Sequence, residues 1–182
     1  MLLKTSDALH RLLERVADAA GWLLIVLMAV TCVDVTFRKF GVVGFPYTKF
    51  QEMEWHLHTT IFSLWMGFNY CVNAHPRVDS YTEKLGFRAK AWIELAGCLV
   101  FALPYTAVLL WYGWDFVKTA WVFNERSDSA LGLEWRWLIK GILYAGFWLL
   151  FLGILSVLLR LVAYLFYKQE ANLNIGSSVS QV

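Results

Sequence analysis

The densest chemistry in this chain lies in Glu52-Met53-Glu54-Trp55-His56-Leu57-His58, which sets carboxylates and imidazoles within two helical turns. Such groups can ligate a metal, relay a proton or grip a charged partner. Successive helical residues turn by about 100°, so Glu52 shares a face with His56 and Glu54 with His58, on roughly opposite sides. His56 and His58 therefore cannot hold one metal or one haem iron from the same helix. The two histidines at i and i+4 of a zinc-protease helix are absent. Metal binding and proton or ion handling remain open readings of the cluster; interfacial anchoring or subunit contact is the favoured one.

Other charges raise the same question. Asp34 and Arg38 stand at i and i+4, acid ahead of base, the favourable order on a helix. A charge at the centre of a membrane helix costs about 2.5–3.5 kcal/mol on insertion scales, so each asks for a partner. The two either neutralise each other near an interface or bind a residue on another helix or subunit. Asp115, Lys118, Arg136 and Lys140 flank a later polar stretch. They read as side chains snorkelling from helix ends, or as a ring of charge with Asp34, Arg38 and Glu52. Glu94 has Lys90 as its nearest sequence partner, and His75 stands at the far end of the segment that Glu52 opens. The chain offers no nucleophile–base pair, no phosphate-cradling glycine loop and no pocketed carboxylate pair, so enzymatic chemistry is unsupported. Cys32, Cys71 and Cys98 sit inside apolar stretches without metal spacing and read as small core residues.

The elements that must position these groups are membrane helices. Windows free of Asp, Glu, Lys and Arg cover 19–33, 55–76, 95–114 and 141–159. About 20 apolar residues suffice to cross a hydrocarbon core of about 30 Å. The last three windows pass, and the first reaches span length only by taking in Asp34 and running on to Phe37. Hydrophobic residues make up 59% of the chain and charged ones 16%, against about 25% charged in ordinary soluble domains. An all-α membrane protein with spans at about 19–40, 50–75, 88–121 and 136–167 follows, one four-helix domain over 1–170. The net charge of +2 is too small to imply nucleic acid; the implied surroundings are membrane lipids.

Residues 6–20 read as an amphipathic helix. Leu9, Leu12, Leu13, Val16 and Ala20 form its apolar face and Ser6 is a plausible N-cap. It either lies along the membrane surface before a turn near Gly21 and Trp22, or extends the first span directly. Asp7, Glu14 and Asp18 ahead of the apolar run, and Thr-Cys-Val-Asp after it, argue against a cleaved signal peptide. The second span is expected to stop at His75-Pro76, the third to tilt, protrude or kink at Pro104. Residues 171–182 read as a disordered tail. Basic residues in the N-terminal stretch, the 77–90 connection and the C-terminal end outweigh those in the loops of the other side, which places both termini in the cytoplasm. Trp22 and Trp92 fall on the inner side, Trp55, Trp114, Trp121, Trp135 and Trp137 on the outer.

Taken together, these residues resemble a known family. Asp34-Val35-x-x-Arg38 closes the first helix, Glu52 and Glu54 open the second, and Gly67…His75-x-Arg77-Val78-Asp79 marks its exit. Trp121…Glu125-x-Ser127, Gly132-Leu133, Trp137 and Lys140 follow in order. This pattern is similar to the small, DctQ-like membrane subunit (Q subunit) of tripartite ATP-independent periplasmic (TRAP) transporters and covers nearly the whole chain. Glu134 departs from it, standing where proline is expected after Gly-Leu.

The resemblance implies a scaffold in a bacterial inner membrane. It would pack against a large membrane subunit (M) that carries the substrate and sodium sites, with no cofactor on this chain. A periplasmic substrate-binding protein (P) would dock partly on its outer loops, 41–48 and 124–134, with Asn124, Glu125, Arg126 and Asp128 as candidates. Asp34, Arg38, Glu52, Glu54, His56, His58, His75 and Lys140 are the candidate interface or intramembrane polar residues. The Glu-Trp-His-Leu-His variant resembles the branch associated with keto acids, lactate or chloroaromatic acids. Two other classes stand beside this one: a haem-bearing membrane anchor of a redox enzyme, which needs axial histidines on different helices, and a small proton-coupled exporter, which needs a membrane-centred acid.

Overall fold

Helix is the only regular structure among the described residues of the computed structural model, namely 2–74, 84–129, 131–167 and 173. In order these are α1 (Leu2–Phe40), α2 (Tyr47–Cys71), α3 (Phe87–Gly97), a π-helical turn (Cys98–Ala102), α4 (Leu103–Val122) and α5 (Arg136–Tyr167). Among the described residues, three helical stretches are long and apolar enough to cross a membrane: Leu2–Phe40, Phe87–Val122 and Arg136–Tyr167. The sequence reading expects four. α2 has the length, at 25 residues, but Lys49, Glu52, Glu54, His56, His58 and Asn69 dilute its apolar character.

The amphipathic segment is continuous with the first apolar run, because α1 passes through Gly21 unbroken. Ser6 lies inside that helix and is fully buried, so it caps nothing. The inward stripe shares Leu13 and Ala20 with the expected apolar face and adds Ser6 and Ala17, whereas Leu12 is 48% exposed. The small residues Ser6, Ala17 and Ala20 let a neighbouring backbone approach closely.

Three helices end by one device. Gly41, Asn73 and Asn124 take positive φ, at 62°, 57° and 44°. After each, the chain folds back on the last turn: Val42 N–H donates to the Phe37 carbonyl, Ala74 to Asn69 and Glu125 to Ala120. These are six-to-one bonds closing on a left-handed residue, a conformation open to glycine and, among side-chain-bearing residues, most readily to asparagine. α2 thus stops at Cys71; His75, Pro76 and the Arg77-Val78-Asp79 exit lie outside the described residues, as does Lys168.

Pro104 has no N–H to give the turn before it. The helix answers with the π-helical turn directly ahead, where the Leu103 N–H reaches back to the Cys98 carbonyl. Thr106 donates its hydroxyl to the Ala102 carbonyl at 2.5 Å.

The chain groups into two compact units, each drawing on several helices. The first comprises Met1–Glu14, Met66–Leu109 and Phe147–Val182. Its core joins Ala91, Leu95 and Cys98 to Leu161 and Leu165, with Tyr70, Phe87, Tyr164 and Leu173 packed around them. Leu173 is the one described residue of the segment expected to be a disordered tail. α2 and α5 cross backbone to backbone at Gly67 and Gly153. A Cβ on Gly67 would stand 2.6 Å from the Leu149 carbonyl carbon and 2.9 Å from Leu13 Cδ2. Ser6 donates to the Ser156 carbonyl at 2.8 Å, and Arg160 reaches Ser6 Oγ at 3.0 Å and Asp7 at 3.1 Å, which ties α1 to α5.

The second unit comprises Arg15–Trp65 and Leu110–Gly146. Trp65 Nε1 donates to the Ala17 carbonyl at 2.8 Å, and Gly146 lies against Ser63, where a Cβ would come within 2.8 Å of the serine Cβ. The loop after α1 is closed by aromatic packing: Phe45 meets Phe37, Tyr47 and Phe50 at 4.6–4.8 Å between ring centroids. The Tyr47 hydroxyl donates to the Phe37 and Val42 carbonyls. Cys71 and Cys98 are buried as expected, but Cys32 is exposed.

Candidate functional site

The polar residues of the second unit sort into pairs, and what remains after pairing defines the site. Asp34 is 5% exposed on α1. Arg38 caps it through Nη2 at 2.8 Å and Nε at 3.3 Å, while the guanidinium lies 5.2 Å from the centroid of the Tyr47 ring. The pair closes on itself, as i, i+4 spacing permits.

Glu52 does something its own sequence neighbourhood does not suggest. Its Oε1 accepts the Ser127 hydroxyl and its Oε2 accepts the Leu133 N–H at 2.5 Å. One carboxylate at the head of α2 therefore holds both sides of the loop between α4 and α5. Gly132 makes the approach possible, since a Cβ there would stand 2.6 Å from Glu52 Oε1 and closer still to Ser127. Inside the loop, the Ser127 N–H donates to the Leu133 carbonyl at 3.2 Å and Arg136 N–H to the Glu125 carbonyl at 3.1 Å. Trp135 takes a positive φ of 63° to turn the chain into α5.

The loop's charges are answered within it. Lys140 pairs with Glu125 and rests 4.0 Å from the centroid of the Phe116 ring. Arg136 meets Asp128 at 3.3 Å and Arg126 meets Glu134 at 3.6 Å. Asn124 is the left-handed residue ending α4. The charges thus resolve into separate local pairs rather than a single ring, with Asp115 and Lys118 exposed along α4.

Two hollows flank the Trp55 and Thr59 side of α2, both residues lining each of them. Glu52 and His56 line one of about 270 Å³, together with Arg136, Ile139 and Lys140. Glu54 and His58 line another of about 490 Å³, walled by Leu27, Thr31, Trp55 and Thr59. His56 turns its Nδ1 to the Glu52 carbonyl at 2.6 Å. Glu54 Oε1 is shielded from solvent and has no hydrogen-bond partner.

Sequence reasoning names Glu52, Glu54, His56, His58 and Lys140, and the structure gathers all of them around these two hollows; His75 lies outside the described residues. It misses Leu27 and Thr31, which sit in an apolar window with nothing to mark them. Ser127, Gly132 and Leu133 carry a signal only through the family pattern, and the contribution of Leu133 is a backbone N–H. No group of three or more His, Cys, Asp or Glu side chains is placed to hold a metal ion among the described residues.

This geometry binds a loop and presents a shielded acid, and neither arrangement performs bond chemistry. No curated protein and no solved structure matched the chain. The family model described as "Tripartite ATP-independent periplasmic transporters, DctQ component" matches residues 27–164, a stretch that contains both hollows and the loop that Glu52 holds. That match covers most of the 182 residues, and with three helices able to span a bilayer the chain belongs to the DctQ family, a transporter component of the inner membrane rather than an enzyme.

Proposed function

We propose that this chain is the small permease subunit of a TRAP-type secondary transporter, a scaffold that packs against the large membrane subunit. It helps dock the periplasmic substrate-binding protein during sodium-coupled uptake of carboxylates. The observation that carries the reading is the family match over residues 27–164. In this reading α2 is a fourth span, its polar head lying at the outer interface, and both termini are cytoplasmic. Its Glu52, His56 and His58 then sit where partners and water can meet them, which lowers the cost of their charge.

Two features support the scaffold role. Large apolar side chains stay exposed along α1 and α4, among them Trp22, Ile25, Met28, Val108 and Trp111. Such surface is covered by lipid or by another membrane subunit. The loop over 123–135 is held by Glu52 and by its own ion pairs, so it would offer a binding protein a preformed face. Preorganised loops cost less entropy on association. Sodium and substrate sites belong to the large subunit, because a small bundle without repeated halves lacks the architecture that transporters use to alternate access.

The test is reconstitution. Proteoliposomes holding the cognate large subunit, with binding protein outside and a sodium gradient, are supplied with labelled carboxylate, with and without this chain. Uptake that requires all three components is expected. Uptake unchanged on leaving this chain out would refute the reading.

A further inference from the structure

Resting on that reading, we infer that the hollow over Glu54 receives an arginine side chain of the large membrane subunit. The case begins with what the second unit leaves unanswered. Asp34 is met by Arg38, Glu125 by Lys140, Asp128 by Arg136 and Glu134 by Arg126. Glu52 is met by a hydroxyl and a backbone N–H. Glu54 differs: its Oε1 is closed off from solvent and accepts no hydrogen bond. A carboxylate oxygen desolvated without a donor is strongly unfavourable.

The hollow beside it indicates the missing donor. Its volume of about 490 Å³ dwarfs the roughly 30 Å³ share of a single water. It falls in the range of about 300–1,000 Å³ typical of sites built for organic groups. Its lining is mixed: Leu27 and Trp55 are apolar, and Glu54, His58, Thr31 and Thr59 are polar. A long aliphatic stem ending in a cation fits that mixture. A guanidinium fits it better than an ammonium, because its planar fork matches a carboxylate two bonds at a time and stacks on an indole face. The partner in this family of membrane complexes lies in the same bilayer, so it can deliver such a side chain at the depth of Glu54. A cation delivered by the partner would answer the shielded Glu54 oxygen that this chain leaves without a donor.

The experiment uses the complex of this chain with its large subunit in lipid nanodiscs. Affinity of the purified small subunit for the large one is measured for wild type, Glu54→Gln and the exposed-acid control Glu14→Gln, each matched for helicity by circular dichroism. Glu54→Gln is expected to weaken association about 30-fold or more, and the control less than about 2-fold. In a Glu54-intact chain, Leu27 is replaced by a benzoyl-phenylalanine photo-crosslinker and the adduct mapped by mass spectrometry. The adduct should fall within one helical turn of an arginine of the large subunit. Exchanging that arginine for glutamate should weaken binding, and combining the exchange with Glu54→Arg should restore it. Association of Glu54→Gln within 2-fold of wild type overturns the inference while leaving the scaffold reading intact. So does an adduct confined to lipid, to a second copy of this chain or to a segment without arginine. Failure of the wild-type chain to associate at all defeats the scaffold reading, and the inference with it.

Discussion

Replacing Glu52 with alanine should release the loop between α4 and α5. The substitution removes two bonds to a charged acceptor, from the Ser127 hydroxyl and from the Leu133 N–H. Hydrogen bonds to ionised groups contribute about 1.5–3 kcal/mol each. Glu52 is half-buried, so the lower end applies and the sum is about 3 kcal/mol. At about 1.36 kcal/mol per tenfold, local opening at Leu133 becomes about 100-fold more frequent. Hydrogen–deuterium exchange of the chain in nanodiscs reads this directly, because the Leu133 amide has Glu52 as its acceptor. Glu52→Gln keeps one acceptor oxygen but loses the charge, and should accelerate exchange by about 10-fold. The Arg136 N–H bond to the Glu125 carbonyl does not involve Glu52 and should keep its protection. Exchange at Leu133 within about threefold of wild type in Glu52→Ala, with helicity unchanged, would refute the claim that this carboxylate holds the loop.

Further outcomes follow from the same coordinates. Gly132→Ala should mimic Glu52→Ala in exchange, because its Cβ would stand 2.6 Å from Glu52 Oε1; normal Leu133 protection would show that the loop has room. Gly67→Ala should destabilise by about 1–3 kcal/mol, since the added methyl meets the Leu149 backbone and Leu13, and a lower midpoint for loss of monodispersity on heating checks it. For topology, a Cys32→Ser background removes the exposed native thiol. There Ser178→Cys should label with an impermeant maleimide only from the cytoplasmic side and Asp128→Cys only from the periplasmic side, and the reverse pattern would overturn the proposed orientation.

Reading residues in order went furthest where one helix carries the whole signal. The separation of Glu52 with His56 from Glu54 with His58 follows from helical pitch alone, and each pair lines its own hollow, the two hollows sharing Trp55 and Thr59 between them. Asp34 and Arg38 were adjacent by spacing and are bonded. Elsewhere periodicity was only partly right. Along residues 6–20 it put Leu13 and Ala20 on the inner side, where they are, but packing also buried Ser6 and Ala17 and left Leu12 out. Where lipid surrounds a helix, apolar character alone does not tell inside from outside, and small residues that let a neighbour approach are buried as well. Asn73 and Asn124 as helix terminators were invisible because an isolated asparagine has many roles. The link from Glu52 to Ser127 spans 75 positions of chain, beyond any local pattern. The family pattern had nevertheless placed Glu52, Ser127, Gly132 and Leu133 in one series, and these are the residues that meet.

The extra residue accommodated at Cys98–Ala102 has a bearing on how this protein tolerates insertion and deletion. A wide turn holds slack of one position, so losing a single amino acid there converts it to ordinary α geometry while the flanking turns keep their azimuth. The same loss within Phe87–Gly97 or beyond Leu103 would swing every later side chain by about 100°. Length variation between Phe87 and Val122 is therefore permitted at one address, directly ahead of Pro104.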